Sequence, residues 1–128
     1  MPRVQLISIV DDDDALRNSL DDLIRSIGFR TQGFPSAEAF LSSNHVRDTA
    51  CLITDVHLPG MSGVELQSRL ILDGHRIPII FITAFPEEAI RARVLRDGAL
   101  GYLSKPLQEQ SLITCLNQAL KRPRQDPA

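Results

Sequence analysis

The stretch CLITDVHLPGMSG, residues 51–63, decides the fold, and Asp55 stands at its centre. Cys51, Leu52 and Ile53 form an apolar run too short for a helix and read as a fully buried strand. Pro59, Gly60 and Gly63 then turn the chain away, so Asp55 sits where a buried strand gives out into a loop. In an open α/β sheet that edge is where ligands bind. An aspartate is rarely buried there without a partner, so the rest of the chain must supply partners.

Working outward, residues 4–10 (VQLISIV) read as a second buried strand, stopped by four aspartates. Leu16, Leu20, Leu23, Ile24 and Ile27 recur at helical spacing from Ala15 on, and Gly28 closes that helix. Residues 29–34 read as a short weak strand. Pro35 and Ser36 open a helix carrying Phe40 and Leu41, with Ser36 as its N-cap. After Asp55, Ser62 and Glu65 make a capping-box pair for a helix with Leu66 and Leu70 on its apolar face, ended by Asp73 and Gly74. Residues 77–83 (IPIIFIT) are the most hydrophobic strand. Pro86 fits the first position of the next helix, with Glu87 and Glu88 near its positive end. Ile90, Val94 and Leu95 face that helix inward, and Gly98 ends it. Residues 100–103 read as a brief strand before Ser104, Lys105 and Pro106, and Leu112, Leu116, Ala119 and Leu120 mark a last helix. Residues 121–128 (KRPRQDPA) carry no periodicity and read as a linker or disordered tail after a domain spanning 1–120.

Five strands alternate with five helices, and apolar strands joined by helices imply a parallel sheet covered on both faces. Right-handed crossovers leave few topologies. One is a doubly wound α/β sheet of order 2-1-3-4-5, which brings Asp11, Asp12, Asp55, Thr83 and Lys105 to one carboxyl edge.

The 128 residues suit one domain with an ordinary core, and a net charge of −2 gives no basic field for nucleic acid. No window approaches a membrane span of roughly 20 apolar residues, and the N-terminus lacks a signal h-region. Cys51 and Cys115 read as buried free thiols in a reducing compartment, which places the protein in the cytoplasm.

Asp13 and Asp14 read as a solvated turn in which one residue caps the helix. A calcium loop starting at Asp11 fails, because Ala15 and Leu16 fall where an oxygen ligand and a glycine are needed. Asp11, Asp12 and Asp55 would repel, each pair by at most about 4 kcal/mol at an effective dielectric of about 20. Protons or a divalent cation must offset that, and an all-oxygen site selects Mg²⁺ or Mn²⁺. Lys105 reads either as a plain ion pair or, beside the metal, as part of a clamp for phosphoryl oxygens. Thr83 supplies a hydroxyl, although threonine at a strand end is commonplace. An ionised Asp55 needs no general base to act as a nucleophile and form an aspartyl-phosphate. His45, His57 and His75 make no metal or triad motif.

The motifs IVDDDD (9–14), ITDVHLPGMSG (53–63), FITA (81–84) and GYLSKP (101–106), in this order and spacing, closely resemble the CheY-like receiver domain of bacterial two-component response regulators. The resemblance runs over roughly residues 4–120. It implies a flavodoxin-like fold and phosphorylation of Asp55 by a sensor histidine kinase. It implies Mg²⁺ on Asp12, Asp55 and the backbone carbonyl of His57, with Asp11 acting through water. It further implies that Thr83 and Lys105 contact the phosphoryl group, that Tyr102 is the aromatic switch, and that Lys105-Pro106 is a cis peptide. His57 and Phe85, two residues after Asp55 and Thr83, occupy positions that tune phosphorylation lifetime in the family. Such a domain is regulatory and catalyses its own phosphorylation and dephosphorylation rather than turning over a substrate. SAEAFL (36–41) and PGMSGVEL (59–66) look most like receivers joined to a LuxR-type helix-turn-helix output domain. No such domain follows here, so the chain reads as a single-domain regulator or a receiver cut at its linker, meeting DNA only through an absent output domain. A phosphorylation-dependent homodimer would use the surface around Ile90, Arg93 and Val94.

A rival uses the same chemistry. Haloacid-dehalogenase-like phosphatases carry a D-x-D-x-T nucleophile motif, then a strand ending in Thr, then Lys. Asp11, Asp13, Thr83 and Lys105 mimic it with Asp11 as nucleophile, but Ala15 stands where the motif needs Thr, and Asp55 is left unexplained.

Overall fold

The computed structural model describes residues 4–121. Its elements alternate as β1 (Leu6–Val10), α1 (Asp14–Ser26), β2 (Arg30–Phe34), α2 (Ala37–Leu41), β3 (Thr49–Asp55), α3 (Gly63–Leu72), β4 (Ile79–Thr83), α4 (Glu88–Arg96), β5 (Gly101–Ser104) and α5 (Glu109–Lys121). The strands form one parallel sheet of order β2-β1-β3-β4-β5, the doubly wound, flavodoxin-like order expected from the sequence.

Alternation along the central strands sorts the core into two layers. Ile7, Ile9, Cys51, Ile53, Ile80 and Ile82 pack with Leu20 and Ile24 of α1 and Leu112, Leu116 and Ala119 of α5. Val10, Leu52, Ile79 and Phe81 pack on the opposite face with Phe40 of α2, Leu66 and Leu70 of α3 and Val94 of α4. All five residues of β1 and of β4 are buried, whereas β2 buries only Phe34. That is why residues 29–34 read as weak: an edge strand has one neighbour and needs no continuous apolar run. Ser8 and Thr49, buried in adjacent strands, satisfy each other through a 2.7 Å hydroxyl pair.

Helix starts follow the expected caps. Asp13 accepts from the Leu16 amide at 3.2 Å, Ser36 accepts from Ala39 at 3.0 Å, and Ser62 and Glu65 form the reciprocal capping box. The helices α1, α3 and α4 are each followed by the glycine that marked their ends, Gly28, Gly74 and Gly98.

Five expectations are corrected. Pro86 does not open α4: the helix begins at Glu88 after an extended Glu87, whose amide is taken by the Tyr102 hydroxyl at 3.1 Å. Val4 is exposed and lies outside β1. Cys51 is buried but Cys115, on α5, is only partly so; both are free thiols. Val94 is fully buried and cannot contribute to a surface, leaving half-buried Ile90 and exposed Arg93. Among the described residues no helix is long and apolar enough to cross a membrane. The tail expected over residues 121–128 starts one residue too early, because Lys121 is the last residue of α5; residues 122–128 lie outside the described residues.

Candidate functional site

Asp55 is the last residue of β3, flanked by β1 and β4, and is 6% exposed. Its Oδ1 accepts from the His57 amide at 3.0 Å, so the first turn of the loop braces the carboxylate. Its Oδ2 accepts from Lys105 Nζ at 2.8 Å. Lys105 follows β5, and its own amide donates to the carbonyl of Thr83 at 2.8 Å, which places the side chain over the end of β4. Lys105-Pro106 is a cis peptide, as the resemblance implies.

Asp11 follows β1 and is wholly buried. Its Oδ1 accepts from the Asp13 amide at 2.9 Å and its Oδ2 from Lys105 Nζ at 3.1 Å. Asp12, next in the chain, is exposed, and carboxylate oxygens of Asp11, Asp12 and Asp55 all lie within 4.8 Å of one another.

The electrostatics of the cluster are unbalanced. Burial pushes the Asp11 carboxyl above its ordinary range, and the Asp13 amide and Lys105 do not pull it back. Burial also works against the Lys105 ammonium, but its bonds to Asp55 and Asp11 outweigh that and raise it. The acid is raised although it is paired, because its burial outweighs one ammonium that it shares with Asp55, whose charge adds a smaller repulsion. Such a pocket favours a further cation. Its donors are oxygens only, which fits Mg²⁺ or Mn²⁺ rather than a softer metal.

Thr83 is buried at the end of β4, and its Oγ1 accepts from the Phe85 amide at 3.0 Å. A hydroxyl that accepts one bond still has its proton to donate. Tyr102 on β5 pairs with Phe81, is half-buried, and its hydroxyl caps the Glu87 amide. The rings of His57 and Phe85 meet edge to face with centroids 6.1 Å apart, and Phe85 is 70% exposed. The structure thus brings Asp11, Asp12, Asp55 and Lys105 together. Thr83 and Tyr102 lie on the neighbouring strands, engaged with the β4–α4 connection. His45 and His75 lie elsewhere, His45 beside the ring of Phe34. A cavity of about 340 Å³ between the α2–β3 and α3–β4 connections is lined by none of the candidate residues.

Several contributors had no expectation attached. Arg17 donates to the Asp11 carbonyl at 2.7 Å and pairs with Asp14. Its spacing of three from Asp14 was a usable signal. Glu38 accepts from the Met61 amide at 3.0 Å, and Gln67 from α3 donates to the Val94 carbonyl at 3.0 Å. These contacts span 23 and 27 residues, and no local pattern announces them.

The phosphatase reading is not favoured: it leaves idle Asp55, a buried member of the convergent carboxylate cluster bonded to Lys105 at 2.8 Å.

Comparison with known proteins adds an independent line. Residues 7–117 match the model of the response regulator receiver domain. The chain is 40% identical over 116 residues to the response regulator protein TmoT of Ectopseudomonas mendocina, covering 91% of this chain and 53% of that protein. It is 34% identical over 122 residues to the transcriptional regulatory protein FixJ of Azorhizobium caulinodans, covering 95% of this chain and 58% of the relative. It thus spans little more than half the length of these relatives. Among solved structures, that of the response regulator StyR superposes with a TM-score of 0.83 at 40% identity, over 93% of this chain and 60% of that one. The structure of FixJ-N superposes with a TM-score of 0.83 at 31% identity, over 95% of this chain and 98% of that one.

Proposed function

This chain belongs to the response regulator receiver domain family, and from that membership and the unbalanced acid pocket we propose that Asp55 is its phosphoacceptor, served by a sensor histidine kinase. The observation that carries the proposal is the convergence of the Asp11, Asp12 and Asp55 carboxylates within 4.8 Å around one lysine. A carboxylate oxygen of Asp55 attacks phosphorus, the new O–P bond forms as the bond to the donor's nitrogen breaks, and the electron pair leaves with that nitrogen. The ionised Asp55 needs no base. Lys105, already 2.8 Å from Asp55, follows the transferred group and bonds one of its oxygens. Thr83 donates its hydroxyl proton to another as its Oγ1 moves towards the phosphoryl group and away from the Phe85 amide.

Asp12, Asp55 and the His57 carbonyl hold Mg²⁺ or Mn²⁺, with Asp11 reached through water. The bound cation supplies neutralising charge and a fixed orientation for phosphoryl oxygens. Tyr102 turns inward as Thr83 moves, and the face formed by α4, β5 and α5 then carries the signal to a second copy or an output domain, through Ile90 and Arg93 rather than Val94. His57 and Phe85, in mutual contact beside Asp55, set the lifetime of the modification. A protein of this kind works in the cytoplasm and reaches DNA only through an output domain.

Incubation with acetyl phosphate and Mg²⁺ tests the proposal. Intact-mass measurement is expected to show one phosphoryl group on the wild type and none on Asp55→Asn; equal incorporation into both overturns it. Mg²⁺ is also expected to raise the melting temperature of the wild type by mass action, and Asp12→Ala to abolish that rise. A response that survives Asp12→Ala places the ion elsewhere.

A further inference from the structure

Glu38 is an exposed residue on the short helix α2, on the face of the sheet that α2 shares with α3. Its neighbours Ala37 and Phe40 are both wholly buried, so the backbone that carries it is pinned to the core. From there the carboxylate reaches across to the loop between β3 and α3, where Oε2 accepts the Met61 amide at 3.0 Å. It rests directly over Gly60. The backbone there has φ +74°, which favours glycine, and a Cβ would stand 2.5 Å from Glu38 Oε2, so any other residue would push the carboxylate from its seat. The Met61 amide holds the Glu38 carboxyl below its ordinary range, so the bond is charge-assisted at neutral pH.

The loop held this way is the one that leaves Asp55. At its start the His57 amide braces Asp55 Oδ1. At its end the Gly63 amide returns to the Val56 carbonyl at 2.9 Å, and a Cβ at Gly63 would fall 2.2 Å from the Asp55 carbonyl oxygen. Loop and acceptor backbone are therefore in contact at both ends, which gives Gly60–Met61 a direct backbone route to His57 and Asp55. Glu38 itself is outside the convergent carboxylate cluster.

We propose that Glu38 is a positioning residue for the phosphoacceptor site: seated on Gly60 and the Met61 amide, its carboxylate holds the β3–α3 loop so that the His57 carbonyl and Asp55 keep the spacing a divalent cation needs. The proposal rests on the phosphoacceptor reading above. It assigns to a surface glutamate on α2 the part that outer partners play at metal sites, orienting the groups that touch the ion.

The test compares wild type, Glu38→Ala and Glu38→Gln by Mg²⁺ titration calorimetry, amide exchange at Met61, melting temperature without metal, and the rate of phosphorylation by acetyl phosphate. Glu38→Ala is expected to weaken Mg²⁺ binding by about 10-fold, the low end for loss of an outer partner. It should slow phosphorylation at sub-saturating Mg²⁺ and speed Met61 exchange, with little change in the metal-free melting temperature. Glu38→Gln keeps an acceptor oxygen and is expected to recover most of the affinity. If Glu38→Ala does not fold, Glu38→Asp, whose shorter side chain falls short of Met61, carries the same comparison. Faster Met61 exchange with wild-type Mg²⁺ affinity and rate overturns the assignment and leaves the phosphoacceptor reading standing. Equal losses in the Ala and Gln variants also overturn it, because charge rather than the tie would then matter. A wild type that neither binds Mg²⁺ nor takes a phosphoryl group overturns both.

Discussion

Helices α3 and α4 follow adjacent central strands, and they are held in opposite ways. The helix α3 begins under a complete capping box, packs its first residue on the backbone of Asp55 and buries Gly63, Leu66, Gln67 and Leu70. By contrast, α4 begins without a side-chain cap and buries only Val94. The Tyr102 hydroxyl on the Glu87 amide holds its first turn, and Gln67 of α3 holds its last turn through the Val94 carbonyl. Under the proposed function, the loop after Asp55 keeps a constellation of oxygens in place. The helix after Thr83 is attached by few and reversible contacts, and such elements open at low cost. The contrast teaches where rigidity serves the chemistry and where looseness permits a response.

The largest effect expected from this contrast is in packing. Leu66→Ala removes a wholly buried side chain and is expected to cost about 2–5 kcal/mol, whereas Ile90→Ala, on a half-buried position of α4, should fall clearly below that range. Urea unfolding of both variants measures it, and equal costs would erase the distinction. Next comes capping. Ser62→Ala should destabilise by about 1 kcal/mol, while Glu87→Ala, at a cap position with no side-chain bond, should stay within about 0.5 kcal/mol of the wild type. A smaller and local effect is expected of Tyr102→Phe. The loss of one hydroxyl from an exposed bond should change global stability by only about 0.5 kcal/mol. Amide exchange at Glu87 should nevertheless rise, with no change at Glu65; unaltered exchange at Glu87 would mean that α4 is held by something else.

The smallest effect is electrostatic. The Glu38 carboxyl is held below its ordinary value of 4.5 by the Met61 amide, so its contribution to stability is full above that value and is lost as pH falls through the lowered one. Glu38→Gln, which does not titrate, should therefore show a slightly shallower loss of stability on acidification below pH 4.5. An identical acid limb in both proteins would detach the loop from α2.

Much of this was legible beforehand, for identifiable reasons. The strands β1, β3 and β4 read clearly because burial on both faces demands continuous apolar runs. The caps at Ser36 and Ser62 read clearly because a cap bonds an amide a few residues away, whereas the acidic turn announced a cap without saying that Asp13 supplies it. Pro86 misled because its fixed φ suits a helix start, yet the contact that decides where α4 begins comes from Tyr102, 15 residues further on from Glu87. Val94 was expected both to face inward and to line a surface, and its complete burial leaves only the first.

By itself, the sequence determined the alternation of elements, the sheet that follows from it and the set of residues delivered to its carboxyl edge. Those depend on periodicity, turn residues and strand ends, all of which are local. The tertiary structure alone decided that Lys105 bridges Asp11 and Asp55, that the Thr83 hydroxyl turns to Phe85, that Tyr102 holds the start of α4, and that Glu38 grips the loop beyond Asp55. Apart from the short turn at Thr83, these contacts join residues far apart in the chain. Which of several available donors and acceptors pair across such gaps is set by the distances that core packing imposes, and a linear pattern carries no distances.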